Sequence, residues 1–541
     1  MVLATINYKI LHKMERSTIS KENNYPLKNV TNVTRRRFIS SCSACTACLA
    51  LAPLTYINSS CSTGNRGKKM RIRILYSLHE AVQTKPDWPN LGFDFNPFME
   101  SINTSLKDKF RDMEFIPALV KGPEEAEKIV DLDKQEIIDG YIVYQMNCWN
   151  QVIKPIAKTG KPVLYADFQF GGSGGFLVYN SSFLINSTPN VGFVASSRLD
   201  DLFAAVSCFR IVKQGGSPAD FVAAISKSRM GSTPASGKYA LKANGIQSLS
   251  PEECIRRLGS SKIIAVKDQN AANADPVMGI PLQYVPFSEV NAAWSSADKD
   301  EAGNIAEKWQ KNALEVINVP FATLLTSAAM YLGMKSVLLK HGANAITMNC
   351  LGGFYGGHIH AYPCLGFHEL CNEGLVGACE CDINSTATML AFSTMTQGRP
   401  GFISDPVIDT SKRQIIYAHC VAPNKVFGPQ GPTNHFRIMT HSEDRNGASV
   451  QSVLPVNYLT TTLEINKGRK EILFHQATAL DNDPDDRACR TKLCAEPSGD
   501  IEKLFTMWEK WGWHRVTFYG DLKEPVLAFA DTLGWKVIEE A

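Results

Sequence analysis

Met70-Arg-Ile-Arg-Ile-Leu-Tyr-Ser77 alternates in the manner of a β-strand. Three more short apolar runs follow it, each bounded by turn residues: Gly140-Tyr-Ile-Val-Tyr144, Lys161-Pro-Val-Leu-Tyr-Ala166 and Val191-Gly-Phe-Val-Ala195. Stretches of helical character separate them, at 124–130 and 199–213. Strands that alternate with helices predict a parallel sheet covered on both faces, because a crossover between parallel strands must travel over the sheet. The pattern restarts near residue 206. Ser260-Ser-Lys-Ile-Ile-Ala-Val-Lys267 reads as a buried strand, 302–341 as a long helical region and Ala345-Ile-Thr-Met-Asn-Cys350 as the next strand. From about 396 the texture changes to short alternating strands (414–419, 436–441, 458–465), and a helix–strand–helix–strand unit closes the chain. The expectation is two Rossmann-like α/β domains, 70–205 and 206–395, followed by a β-rich C-terminal domain, 396–541.

The totals fit that division. A chain of 541 residues is long for one core, since domains hold roughly 100–200 residues. Hydrophobic residues make up 44% and charged residues 20%, ordinary values for a globular protein. The net charge of +3 is not concentrated in a basic face, which argues against nucleic acid as a partner. Of 15 cysteines, Cys42, Cys45, Cys48 and Cys61 precede the first strand. The rest are irregularly spaced and read as buried thiols rather than a disulfide or zinc framework.

Residues 1–66 read as an address and linker. Thr34-Arg-Arg-Arg-Phe-Ile-Ser40 carries a paired arginine before a large apolar residue, the twin-arginine export pattern. The mildly apolar stretch 42–54 is too short to span a bilayer, which takes about 20 residues. Export to the periplasm is expected, with Cys61 a weak candidate for lipid attachment. No other segment reads as an integral membrane span.

Gly171-Gly-Ser-Gly-Gly175 lacks dinucleotide-binding spacing and is expected to be a flexible surface loop. Candidate chemistry lies further on. Gly377-Ala-Cys-Glu-Cys-Asp-Ile-Asn384 ends a strand and opens a helix, so Glu380 and Asp382 sit at the carboxyl edge of a sheet, where α/β proteins place ligands. The bland alternative is that they only cap the helix. Gly401-Phe-Ile-Ser-Asp-Pro406 puts Asp405 at the end of an apolar run, or in a simple Asp-Pro turn. His419 and His441 fall at strand ends and His514 at a strand start, although a lone histidine is more often structural. Two carboxylates and an imidazole suit Mn²⁺, Mg²⁺ or a similar divalent ion.

The order of these features resembles the C-terminal part of the L-fucose isomerase family and, more distantly, the L-arabinose isomerases. The resemblance rests on a strand ending Ala378-x-Glu-x-Asp382, a second ending at Asp405, and a glycine-flanked His514 beginning the last strand of a helix–strand unit. It implies a barrel-like C-terminal domain, a metal-dependent aldose–ketose isomerase working through an enediol, and Mn²⁺ (or Mg²⁺ or Co²⁺) held by Glu380, Asp405 and His514. Glu380 and Asp405 are then also the catalytic carboxylates. His419, His441 and His358 are candidates for binding sugar hydroxyls, with His441 near a position the arabinose isomerases use in their site. The implied assembly is a homotrimer or homohexamer. An exported carbohydrate-binding protein that kept this fold without turnover is the alternative.

Overall fold

A computed structural model describes residues 69–541, which form one compact unit. The twin-arginine motif, the stretch 42–54 and Cys61 lie outside the described residues. The first sheet is wholly parallel in the order β2-β1-β3-β4-β5, with β1 Met70–Ser77, β2 Met113–Val120, β3 Gly140–Gln145, β4 Val163–Asp167 and β5 Val191–Val194. β3, β4 and β5 are almost continuously buried, as expected when helices cover both faces. The helix Pro218–Ser232 also packs on this sheet. Ser217 and Asp220 start it with a reciprocal capping box, and Phe221 and Ile225 are buried against the β5 side, where Gly192 leaves room for Ile225.

The second sheet runs β11-β10-β6-β8-β7: β6 Ile263–Lys267, β7 Ala272–Val277, β8 Ile280–Pro286, β10 Ala345–Met348 and β11 Val376–Ala378. All pairings are parallel except β7 with β8. The expected helical region 302–341 is two helices, Lys299–Asn312 and Phe321–His341, broken by Pro320 and the short β9 Val316–Ile317. The second helix corrects one expectation, because its length and composition would allow it to cross a membrane. Half of that apolar stretch is buried, and Leu324, Met330, Met334 and Val337 pack into the core of the second sheet.

The third element is a closed barrel. β12 Phe402–Asp409, β13 Gln414–His419, β16 Leu459–Asn466, β17 Glu471–Asn482, β18 Thr491–Pro497 and β19 Arg515–Tyr519 pair in the order β16-β19-β12-β13-β18-β17, and β17 returns to β16. Closure leaves no free edge among these six antiparallel strands. β20 Lys536–Glu539 adds to β17 in parallel, and β14 Phe436–Met439 and β15 Ser449–Ser452 join β9 in a small separate sheet. The fold class read from the sequence is therefore the one observed: two parallel α/β sheets followed by a barrel.

Gly171–Gly175 is the opposite of a surface loop. All five residues are buried, and the helix Ser173–Ile185 begins among them. A Cβ on Gly172 would collide with the Gln145 carbonyl oxygen, and one on Gly171 would lie 2.5 Å from the Met146 oxygen. Close backbone approach, not flexibility, calls for these glycines.

Candidate functional site

Three elements bring the chemistry together at the barrel mouth. β11 is a buried Val-Gly-Ala strand whose Gly377 lets Phe367 pack directly against it, a Cβ there falling 2.6 Å from the Phe367 Cα. After β11 the chain turns through Glu380 and Cys381, both in the left-handed region at φ 61° and 56°. Non-glycine residues pay of order 1–3 kcal/mol each for such backbone, which persists only where the surroundings enforce it. The turn hands the chain to Asp382, the N-cap of the helix Ile383–Met395, whose Oδ1 accepts from the Ser385 amide at 3.0 Å.

Asp405 lies inside β12 rather than at its end, which corrects the Asp-Pro turn. Pro406 follows it, opposite Tyr417 on β13, where β12 has already left β19, whose pairing covers only Phe402–Ser404. Register does the rest. Ser404 faces Arg515, so the next positions outward are Asp405 and His514, while Ala418, opposite Asp405 on β13, is followed by His419.

The result is one convergent set. His514 Nε2 is 3.2 Å from Glu380 Oε2 and 3.1 Å from Asp405 Oδ1, while His514 Nδ1 is 2.9 Å from Asp382 Oδ2. His419 Nδ1 is 2.9 Å from Asp405 Oδ2. Asp405, His419 and His514 are buried, and Glu380 is partly so. Despite the short distances, Asp405 Oδ1, His514 Nε2 and His419 Nε2 make no hydrogen bond. Buried polar atoms are rarely orphaned. Donor atoms about 3 Å apart and misaligned for hydrogen bonding are what an octahedral cation with ligands at about 2.1 Å would bring together. The oxygen and nitrogen set fits Mn²⁺, Mg²⁺ or Co²⁺. His514 offers Nε2 to the set and donates from Nδ1 to Asp382, the usual way of holding a ligand histidine in orientation, while His419 holds the other oxygen of Asp405.

Charge follows geometry. Burial opposes ionisation of Asp405, yet the His419 and His514 imidazoles outweigh it and hold its carboxyl well below the usual range. Asp382 behaves alike, burial being overcome by His514. Burial also works against a charged His514, but Glu380, Asp382 and Asp405 hold its proton well above the ordinary imidazole range. A cation in the cluster would have to displace that proton.

The other candidates fall elsewhere. His441 pairs with Asp444 at 3.3 Å and packs edge-on to Phe354 at 5.6 Å, outside the Glu380–Asp405–His514 set. His358 is exposed, stacked on Phe287 at 5.6 Å and 3.8 Å from Asp268. Two groups escaped attention in the sequence, and a third was placed at the sheet edge without a role. Asp382, read with Glu380 as a residue of the ligand edge or else a cap, is both: Oδ1 caps the helix and Oδ2 meets His514. Glu443 sits within Thr440-His-Ser-Glu-Asp444 and accepts from the Tyr355 hydroxyl at 2.7 Å. Burial, with Asp87 and Glu380 adding, pushes its carboxyl up to about 8 against the pull of His441. Trp513 stands beside His514 with Trp88 and Trp149 at 6.2 and 6.1 Å, so the first sheet's loops reach the barrel mouth. Proximity in sequence was the available signal: Asp382 lies two residues from Glu380, Glu443 two from His441, and Trp513 next to His514.

Comparison with known proteins gives distant matches. No family profile matches the chain. It is 22% identical over 264 residues to a sulfoquinovose isomerase of Clostridium sp. (strain MSTE9), covering 47% of this chain and 57% of that protein. It is also 22% identical over 193 residues to a sulfoquinovose isomerase of Priestia aryabhattai, covering 34% and 43% respectively. The chain thus spans about half the length of the curated relatives it matches. Among solved structures, the transcription regulator CcpA of Lactococcus lactis aligns at a TM-score of 0.16 and 9% identity over 52% of this chain and 78% of that one, too slight a likeness to bear on the fold.

Proposed function

We propose that this chain is a divalent-cation-dependent isomerase that interconverts an aldose and a ketose. The observation that carries the reading is the convergence of Glu380, Asp405 and His514 on one point with Asp405 Oδ1 and His514 Nε2 unsatisfied. Similarity to proteins named sulfoquinovose isomerase supports a sugar substrate. The reading assigns Glu380, Asp405 and His514 to hold the cation and Asp382 to orient His514. When bound, such an ion polarises the carbonyl and hydroxyl oxygens of the substrate as a Lewis acid.

The reaction moves a proton between two adjacent carbons through an enediol, and the chain's own groups supply the transfer. Asp382 Oδ2 keeps the His514 proton on Nδ1 and leaves Nε2 as the ligand atom. Asp405 divides its oxygens, Oδ2 on His419 and Oδ1 toward the cluster. Glu380, the most accessible of the set, is the carboxylate placed to take the carbon-bound proton. Glu443, which carries its proton at neutral pH, is suited to lend one to a substrate oxygen and take it back. Trp149, half exposed and 6.1 Å from Trp513 beside His514, would offer a ring face to a sugar.

The test uses full-length protein stripped of cations and reloaded separately with Mn²⁺, Mg²⁺ or Co²⁺, then offered sulfoquinovose, L-fucose and L-arabinose. The expected result is cation-dependent conversion of at least one aldose, lost in Glu380→Gln. Cation binding with no conversion across a broad aldose panel would favour a carbohydrate-binding protein on this fold.

A further inference from the structure

β10 and β11 are neighbouring parallel strands, with Thr347 opposite Ala378 near the end of their shared register. Cys379 comes directly after β11, and Cys350 opens the short helix Cys350–Tyr355 that follows β10. Their Sγ atoms are 3.0 Å apart, and both are free thiols. The buried Thr347 donates from Oγ1 to the Cys379 carbonyl at 3.4 Å, which ties the backbone of one cysteine to the strand that leads to the other. A disulfide holds its sulfurs about 2.0 Å apart, so roughly 1 Å of closure separates these thiols from a bond. The pair also adjoins the candidate site. Cys379 directly precedes Glu380, whose φ of 61° persists only under the constraint of its surroundings. The Cys379 sulfur lies within 4.8 Å of a Glu380 oxygen and a His419 nitrogen.

We propose that Cys350 and Cys379 are a redox pair, oxidised to a disulfide by a small peroxide and returned to thiols by a dithiol. Cys379, 5% exposed against 1% for Cys350 and next to the partly exposed Glu380, is the sulfur that meets the peroxide first. It takes one peroxide oxygen as the O–O bond breaks and water leaves, which gives a sulfenic acid. The Cys350 sulfur then attacks the Cys379 sulfur, the S–O bond breaks and a second water leaves. Two thiol hydrogens and two electrons pass to hydrogen peroxide, which ends as two waters. Exchange with a dithiol reverses the change: its two hydrogens return to the cysteines and it departs as its own disulfide. The thiol form is the one that sets Glu380 Oε2 3.2 Å from His514 Nε2. Closing the bond draws Cys379 toward Cys350 and the Glu380 turn with it, away from that set. Formation of the bond is independent of the isomerase reading; its effect on the cation rests on it.

Reduced full-length protein carrying Cys42→Ser, Cys45→Ser, Cys48→Ser and Cys61→Ser is treated with equimolar hydrogen peroxide, alkylated under denaturing conditions and mapped by peptide mass spectrometry. The expected result is the loss of two free thiols per chain, one peptide pair joined from Cys350 to Cys379, and recovery of both thiols with dithiothreitol. Cys350→Ala should stop at the sulfenic acid, so that dimedone labels Cys379 in the variant and not in the parent. Cys208→Ala, in the core of the first sheet, should behave as the parent. In calorimetric titration the oxidised parent should bind Mn²⁺ about tenfold more weakly than the reduced one, the scale on which a disturbed support of a metal site is felt, and recover with dithiothreitol. A full thiol count after peroxide overturns the proposal, as does a disulfide mapped to other cysteines or equal dimedone labelling of parent and Cys350→Ala. Equal Mn²⁺ affinity in the oxidised and reduced protein overturns the coupling to Glu380. No Mn²⁺ binding in either form refutes the cation reading instead, and the mapped disulfide still supports the pair.

Discussion

Asp382→Asn separates the two jobs of one carboxylate. Oδ1 caps the helix Ile383–Met395 through the Ser385 amide at 3.0 Å, and Oδ2 meets His514 Nδ1 at 2.9 Å. Asparagine is as good an N-cap as aspartate, so the helix should survive with little change. The second contact cannot. With its oxygen committed to the Ser385 amide, the side chain presents an NH₂ group to His514. Two donors then face each other unless the imidazole moves its proton to Nε2, the atom the cation needs. Supporting contacts of this kind are worth roughly 10–100-fold in cation affinity, or about 1.4–2.8 kcal/mol. The assay is calorimetric titration of Mn²⁺ into stripped parent and variant, with a thermal unfolding scan as the control for the cap. The expected result is an affinity lower by that factor with an unfolding temperature within about 1 °C. An affinity within twofold of the parent would refute the argument that Asp382 sets the His514 tautomer. Equal losses of affinity and stability would instead make it a cap alone.

Other consequences follow from groups away from the cluster. Glu540 is fully buried, with Arg515 Nη2 at 2.7 Å and His475 Nδ1 at 2.9 Å, and these partners outweigh burial and hold its carboxyl down at about 2. A carboxyl depressed from about 4.5 contributes its stability above that pH and loses it as pH falls toward 2. That depression corresponds to about 3 kcal/mol, and equilibrium urea titrations at pH 7 and pH 3 should show that loss begin in the parent and vanish in Glu540→Gln. At pH 7 the same substitution, which leaves the Arg515 charge buried, should cost about 3–5 kcal/mol. If Glu443 lends a proton in catalysis, kcat/KM falls as pH rises through about 8, and Glu443→Gln flattens that limb; an unchanged alkaline limb removes Glu443 from the mechanism. Gly172→Ala drives a methyl into the Gln145 carbonyl, and urea titration should register a loss of about 1–3 kcal/mol. Replacing Arg35 and Arg36 together by lysine should hold the protein in the cytoplasm by cell fractionation; unaltered export would dismiss the twin-arginine reading.

Much of this architecture was legible because it is local. Period-two and short continuous apolar runs marked β1, β3, β4 and β5 within a residue or two, and the change of texture near 396 marked β13 and β16 of the barrel and β14 of the small sheet. Pro320 set the break in the long helical region, although the periodicity alone ran through it. The placing of Glu380 and His514 beside strand ends could also be read, since it depends on the strand each adjoins, whereas Asp405 turned out to lie inside β12. What no local pattern reaches is which histidine meets which carboxylate. Asp382 and His514 are 132 residues apart and Asp405 and His419 only 14, yet they form one cluster. His441 and His358 look no different in sequence and lie outside it. Their sorting depends on the β12–β19 and β12–β13 registers and on barrel closure, where a slip of one residue would turn Asp405 to the opposite face. The sequence by itself determined the strands, the helices and the supply of oxygen and nitrogen donors. Tertiary structure alone decided which donors converge, because register and closure are set by packing across the whole chain.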